Sequence, residues 1–340
     1  MRQHIGGRMR RRTLTATVAA LVALAAVTAG AFAQPASPSD GTGVVVINTM
    51  LSYEGASAAG TGMVLTSSGE ILTNNHVIRG ATSIKVIVPS TGRSFTARVV
   101  GYDVADDVAV LQTVGASNLA TVTSSSKVAV GDAVTAVGNA GGTGTLSSAT
   151  GSVVGLHRSV VVSDDQGGTA RLTGMIGVNA GVQPGDSGGP LLNSAGQVIG
   201  MDTAGSTAYV DRSSPQAYAI PIAKALSIAK RIEAGSSSSR VHIGATPFLG
   251  IQVASDTRDG GFSSAGAVIA GVVSGSPAAS AGLSRGDVIT AINGHAVSNP
   301  SVIATVILTK KPGVKVTISR IDRLGQRHST KVLLVSGPAQ

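Results

Sequence analysis

Cysteine and tryptophan are absent, and only four tyrosines and four phenylalanines occur in 340 residues. The first absence excludes disulfides, thiol catalysis and Cys-ligated zinc. The scarcity of aromatics, none interleaved with basic runs, excludes a stacking platform for single-stranded nucleic acid. Charge is sparse as well, with Asp, Glu, Lys and Arg at 13% of the chain. More than half of the formal charge of +9 comes from Arg2, Arg8, Arg10, Arg11 and Arg12, so the remainder lacks the basic excess of a nucleic-acid binder. Metal-ligand clusters, phosphate loops and cofactor fingerprints are missing too, and neither metal nor cofactor is expected. No helical period is sustained from Gly43 to about Ala219.

Glycine is abundant, at 45 residues, and Val, Ile, Thr and Ser recur in short runs broken by Gly and Asn. That pattern favours many short strands, as in barrels or sandwiches. Residues 1–33 read as a signal peptide. The basic stretch Arg8 to Arg12 precedes an apolar run from Leu14 to Thr28, and Ala31-Phe32-Ala33 offers a small-x-small cleavage site. Export to the envelope or the medium is the expectation, with an uncleaved anchor as the alternative. The first domain is placed at 34–235 and closes on a helix from Pro221 to Ala234. Pro221 is read at N1, and Ile222, Leu226, Ala229 and Ile232 lie on one face. A flexible Gly/Ser linker is expected at 236–240, then a smaller α+β module at 241–336 with short helices near Pro277 and Ser301.

The most specific string is Gly185-Asp186-Ser187-Gly188-Gly189-Pro190. A serine hydroxyl is a poor nucleophile until a base takes its proton and donors hold the developing oxyanion. Glycines flanking Ser187 permit the tight turn that aims the Gly185 and Ser187 N–H groups at one spot. His76, just past an apolar strand in Leu72-Thr73-Asn74-Asn75-His76-Val77, is the candidate base; His157, beside Arg158 in what reads as a polar loop, is its competitor. For the orienting carboxylate, Asp103, Asp106 and Asp107 are all available. Asp107 is favoured because Val108-Ala109-Val110-Leu111 follows as a buried strand, and Asp106 would face the opposite way.

The order His76, Asp107, Ser187 resembles the chymotrypsin clan, and in particular the HtrA (DegP-like) proteases. The strings that carry it are Thr73 to Val77, Asp107 to Leu111 and Pro184 to Leu191. The resemblance implies a mostly β chain, with a double six-stranded β-barrel holding the triad in its cleft and an α+β PDZ-like domain behind it. It also implies hydrolysis of unfolded or damaged proteins through an acyl-enzyme, and assembly into a homo-oligomer. Matching Gly200 to Gly205 to the strand that walls the primary pocket in the clan places Gly181, Val182, Thr203, Ala204 and Gly205 around that pocket. Without an acid at its base, cleavage after small or medium apolar residues is expected, unless Asp202 turns inward. Two departures stand out. Asp186 occupies a position that is commonly Asn in the family, and is expected either to accept hydrogen bonds from nearby backbone or to pair with an unidentified side chain. Gln34 to Gly43 lacks the aromatics on which family trimers rely, which speaks against a trimer.

In the second module, Phe248-Leu249-Gly250-Ile251 resembles the carboxylate-binding loop of PDZ domains. A φ-Gly-φ turn of this kind exposes backbone N–H groups to a terminal carboxylate, and the next strand pairs with an extended C-terminal peptide. Val302 and Val306 are placed on the facing helix. The string Gly185 to Gly189 also fits the nucleophile elbow of α/β-hydrolases, but Leu191 to Ile199 reads as a hairpin where that fold requires a helix. A catalytically silent PDZ-containing binding or chaperone protein is the non-enzyme alternative.

Overall fold

The computed structural model describes residues 34–37, 39–53, 55–163, 169–203, 217–238, 240–255 and 266–339. The expected leader and its cleavage site at Ala33 lie outside them, as do Ala204, Gly205 and Ser239.

The first half of the chain contributes β1 (Gln34–Pro35), β2 (Val44–Leu51), β3 (Ala56–Val64), β4 (Glu70–Thr73), α1 (Asn75–Ile78), β5 (Ser83–Val88), β6 (Arg93–Asp103) and β7 (Val108–Thr113). Strands β6-β5-β2-β3-β4-β7 follow one another in a sheet that β6 and β7 close into a six-stranded barrel. A second barrel follows from β8 (Ala133–Gly138), β9 (Ser147–Ser163), β10 (Thr169–Val178), β11 (Pro190–Asn193), β12 (Val198–Thr203) and β13 (Ala217–Pro221). Its order is β9-β10-β13-β12-β11-β8, closed by β9 with β8, and β1 adds to it as an outer strand. The double barrel is therefore present, and β11 and β12 form the antiparallel hairpin expected after the serine.

Apolar runs unbroken by polar residues become intelligible once each strand is seen to be buried on both faces. On β7, Ala109 and Leu111 point into the first barrel while Val108 and Val110 point toward the second. On β4, Ile71 and Leu72 divide in the same way. The second barrel has its own interior of Val134, Ile176, Val178, Leu191, Ile199 and Ala219. Between the barrels lies a third apolar layer, to which α2 (Ile222–Glu233) supplies Ile222, Ala225, Ile228, Ala229 and Ile232. The helix departs from the expectation in detail. Pro221 ends β13 and caps the helix instead of opening it, and Ala225 and Ile228 take the buried face while Leu226 is half-buried. His157 sits within β9 at a φ of +54°, not in a loop.

The described residues of the Gly/Ser segment are hydrogen-bonded. Gly235, at φ +68°, returns its N–H to Ile232, and the N–H of Ser238 bonds the Val241 carbonyl while its hydroxyl accepts the Val241 N–H. The chain then forms β14 (Val241–Ile243), which pairs with β6 of the first barrel, so these residues belong to that barrel and not to the second module.

The second module comprises β15 (Thr246–Phe248), β16 (Ile251–Ser255), β17 (Ala267–Val272), α3 (Pro277–Ser280), β18 (Val288–Ile292), β19 (His295–Ala296), α4 (Pro300–Leu308), β20 (Lys315–Ile321), β21 (Arg327–Leu333) and β22 (Val335–Gly337). Its main sheet runs β16-β17-β18-β20-β21, leaving β16 at an edge. The first helix starts at Pro277 as expected and the second one residue earlier than expected, at Pro300; Ser276 and Asn299 accept the Ala279 and Val302 N–H groups, each with proline in the first turn. Beyond β22 the chain returns to the first barrel. The Gly80 N–H donates to the Ala339 carbonyl at 2.9 Å, and the Ala339 side chain is buried among Val77, Ile78 and Ala81.

Candidate active site

His76 lies on α1, a four-residue turn of helix directly after β4. Val77 and Ile78 are buried in the first barrel, which holds the turn in place and leaves the imidazole partly exposed. The imidazole Nδ1 is 2.8 Å from Asp107 Oδ2, and the His76 backbone N–H donates to Asp107 Oδ1 at 2.9 Å. An ionised carboxylate only accepts, so Nδ1 carries the proton and Nε2 presents its lone pair.

Asp107 is the carboxylate that meets the histidine, and it does so from an uncommon backbone conformation, φ +55°. The turn leading to it is shaped by Asp103, whose Oδ1 accepts the N–H groups of Ala105 and Asp106. Asn74 holds the Asp107 carbonyl through Nδ2 at 2.9 Å. From the second barrel, the Thr203 hydroxyl donates to Asp107 Oδ2 at 3.2 Å. Asp106 points elsewhere, with its two oxygens 2.7 Å from Lys224 Nζ and from Arg240 Nη2.

Ser187 is buried in the turn after β10. Gly185 and Gly188 have φ of +99° and +85°, and a Cβ on either would overlap a backbone carbonyl, that of Asn139 or of Thr61. The Ser187 carbonyl accepts the Thr61 N–H, and the Thr61 carbonyl accepts the Thr73 hydroxyl at 2.7 Å. Thr73 is the last residue of β4, so the serine turn packs against the strand that delivers His76. Neither the Gly185 nor the Ser187 N–H has a hydrogen-bond partner among the described residues. Two free donors on one turn are the raw material of an oxyanion site.

Behind this turn sit two buried acids. Asp186 Oδ2 accepts the Gln183 N–H at 2.8 Å, and Oδ1 has no partner among the described residues. Burial pushes its carboxyl up to about 6. Asp202 is fully buried with both oxygens unpartnered among the described residues; burial first, and the Asp186 charge second, hold its carboxyl well above the usual carboxylate range. Asp202 is thus a buried acid on β12, one residue before Thr203. Gly181 and Val182 are half-buried near the second barrel's interior, while Thr203 commits its hydroxyl to Asp107.

In the second module Gly250 has φ +84°, and a Cβ there would strike Ser276. Leu249 is buried, and its carbonyl accepts the Ala278 N–H. The N–H groups of Leu249 and Gly250 have no hydrogen-bond partner among the described residues. They lie at the start of edge strand β16, and Val302 and Val306 are half-buried on α4, which packs against it. Phe248 is turned away, stacked on Tyr53 of the first domain at 4.8 Å between centroids. Thr61 and Asn74 were not singled out as site residues by sequence reasoning, Thr203 was placed only in the substrate pocket, and Asp202 was named only as an acid that could turn inward. Nothing in a Thr or Asn codes for a partner far along the chain.

A family profile described as trypsin-like peptidase domain matches residues 60–201, a range that contains His76, Asp107 and Ser187, and a second, described as PDZ domain, matches residues 247–334. The chain is 32% identical over 288 residues to a probable periplasmic serine endoprotease DegP-like from Chlamydia muridarum (strain MoPn / Nigg), covering 83% of this chain and 54% of the relative. It is 31% identical over 308 residues to the serine protease PepD of Mycobacterium tuberculosis (strain ATCC 25618 / H37Rv), covering 86% and 63%. The chain therefore spans between about half and two thirds of the length of these curated relatives. Among solved structures, HtrA-type protease AlgW with tripeptide aligns at a TM-score of 0.49 and 29% identity over 88% of this chain and 95% of that one.

Proposed function

We propose that this chain, which belongs to the HtrA (DegP-like) family and joins a trypsin-like peptidase domain to a PDZ domain, is an exported serine endopeptidase acting on unfolded or damaged proteins. The observation that carries the reading is the bond between His76 Nδ1 and Asp107 at 2.8 Å, beside a serine turn with two unpartnered N–H groups. Nε2 of His76 takes the proton as Ser187 Oγ attacks the scissile carbonyl. The oxyanion of the tetrahedral intermediate is met by the Gly185 and Ser187 N–H groups. Protonated His76, its charge stabilised by Asp107, hands the proton to the leaving amine, and the acyl-enzyme forms. Water activated by the same histidine then releases the acid. No step needs a metal or a cofactor.

The second domain supports capture of extended C-terminal peptides. The turn at Leu249-Gly250 offers its N–H groups to a carboxylate, edge strand β16 offers backbone pairing, and Val302 and Val306 offer an apolar wall. Extracytoplasmic residence rests on the leader read in residues 1–33 and on relatives named as periplasmic. The reading is tested by fluorophosphonate labelling with peptide mapping, together with casein hydrolysis. Label on Ser187, and loss of both label and hydrolysis in a folded Ser187→Ala variant, are expected; hydrolysis retained in that variant refutes it.

A further inference from the structure

Thr61 of β3 is fully buried, yet every polar atom it owns is used, and most of its partners lie on the opposite barrel. Its hydroxyl donates to the Gly185 carbonyl at 2.7 Å and accepts the Asn139 N–H at 2.9 Å. Its backbone N–H donates to the Ser187 carbonyl at 2.9 Å. Its carbonyl accepts the Thr73 hydroxyl of the strand that leads to His76. One residue of the first barrel therefore holds two carbonyls of the nucleophile turn, those on either side of Asp186.

These carbonyls belong to the peptide planes 185–186 and 187–188. The plane between them carries the Ser187 N–H, and its own carbonyl, on Asp186, accepts the Gly189 N–H at 2.8 Å. Gly185 stands at φ +99°, a conformation from which a glycine turns its peptide with little steric resistance. Nothing in the Gly185 side chain resists that rotation, since there is none. The hydrogen bond from the Thr61 hydroxyl restrains that plane at its carbonyl end, as the bond from the Asp186 N–H to the Gln183 carbonyl at 3.0 Å does at the other.

We propose that Thr61 is a positioning residue for the reaction, fixing the two peptide planes that flank the Asp186–Ser187 peptide so that the Ser187 N–H keeps the orientation that meets the oxyanion. This inference rests on the serine peptidase reading. Thr61 touches neither substrate nor the reacting atoms and works only through the turn. An amide tilted away from the developing oxyanion loses transition-state stabilisation while substrate binding, made elsewhere in the cleft, is kept.

The test compares the full-length parent, Thr61→Val, Thr61→Ser and Ser187→Ala on a peptide substrate, with affinity for a peptide boronate as the mimic of the tetrahedral adduct. Thr61→Val keeps the shape and removes the hydroxyl. Its kcat is expected to fall about 10- to 100-fold with KM within about twofold, and boronate affinity to fall in parallel. Thr61→Ser restores the donor and is expected to recover most of the parental kcat. A purely structural role would lower the unfolding midpoint of Thr61→Val without splitting kcat from KM. Should Thr61→Val not fold, Thr61→Cys, close in size with a weaker and longer donor, takes its place with an expected intermediate loss of kcat. Parental kcat in the folded variant lacking the hydroxyl, or failure of Thr61→Ser to rescue, overturns the inference while an active parent and inactive Ser187→Ala leave the peptidase reading standing. A parent that neither hydrolyses substrate nor takes the fluorophosphonate label overturns both.

Discussion

The Thr203 hydroxyl, on the second barrel, donates to the carboxylate of Asp107, on the first, at 3.2 Å. The acid that orients His76 is thereby shared between two barrels that meet through an apolar layer. Thr203→Val is expected to lower kcat about tenfold with little change in KM, as one donor to a buried charge is removed. Steady-state kinetics on a short peptide check it, and an unchanged kcat would show that the His76 contacts alone fix Asp107.

Neighbouring acids should behave in opposite ways. Asp107→Asn is expected to reduce kcat by roughly 10³- to 10⁴-fold without unfolding the protein. Asp106→Asn should keep kcat near the parental value and lower stability by about 1 kcal/mol, because Lys224 and Arg240 lose their common partner. Paired measurement of kcat and urea midpoints separates the two. Equal kinetic losses would mean that the different partners of the two acids in the turn before β7 do not set their roles.

A pH dependence follows from Asp186 and Asp202. Both carboxyls are raised above the ordinary 3.8, the first to about 6, so the folded state keeps protons that the unfolded chain releases. Their contribution to stability is full below about pH 4 and declines as pH rises through 6 and on to the titration of Asp202. Asp202→Asn should flatten this decline and raise stability at pH 8 by on the order of 1–3 kcal/mol relative to the parent. Urea unfolding of both proteins at pH 5 and pH 8 decides it. An advantage for the variant that shrinks as pH rises has the wrong sign.

Peptide capture by the second domain should depend on the terminal carboxylate. A peptide ending in an apolar residue is expected to bind at least tenfold more tightly than its C-terminal amide, and Gly250→Ala, which pushes a Cβ into Ser276 from a φ of +84°, should abolish the difference. Fluorescence anisotropy with the two peptides measures this. Equal affinities would remove the carboxylate from the recognition.

Much of the fold was legible in the sequence because the barrels rest on simple physics. The unbroken apolar run from Val108 to Leu111 announced a buried strand, and its two apolar faces match a structure in which one face fills a barrel and the other an inter-barrel layer. The glycines around Ser187 were legible for the same reason, since the positive φ values leave little choice of residue. Hydroxyl contacts over long separations were not. Thr61 and Gly185 are 124 residues apart, and a threonine in a strand is unremarkable until its partner is seen. The Gly/Ser segment misled in the other direction. Its composition reads as flexible, but the Ser238 hydroxyl folds it into a turn that aims Val241 at the inter-barrel layer.

The return of the chain to bury Ala339 beside α1 changes the topology of the molecule. The second domain is a guest inserted into a host, leaving the first barrel at Ile243 and re-entering it at Ala339. A guest held at both ends has no single hinge, and detaching one seam leaves the other to restrict its motion. Melting the host must release the guest, and a ligand that favours the docked guest raises the temperature at which the host melts. Calorimetry should accordingly record one transition for both domains, displaced as a unit by a bound peptide.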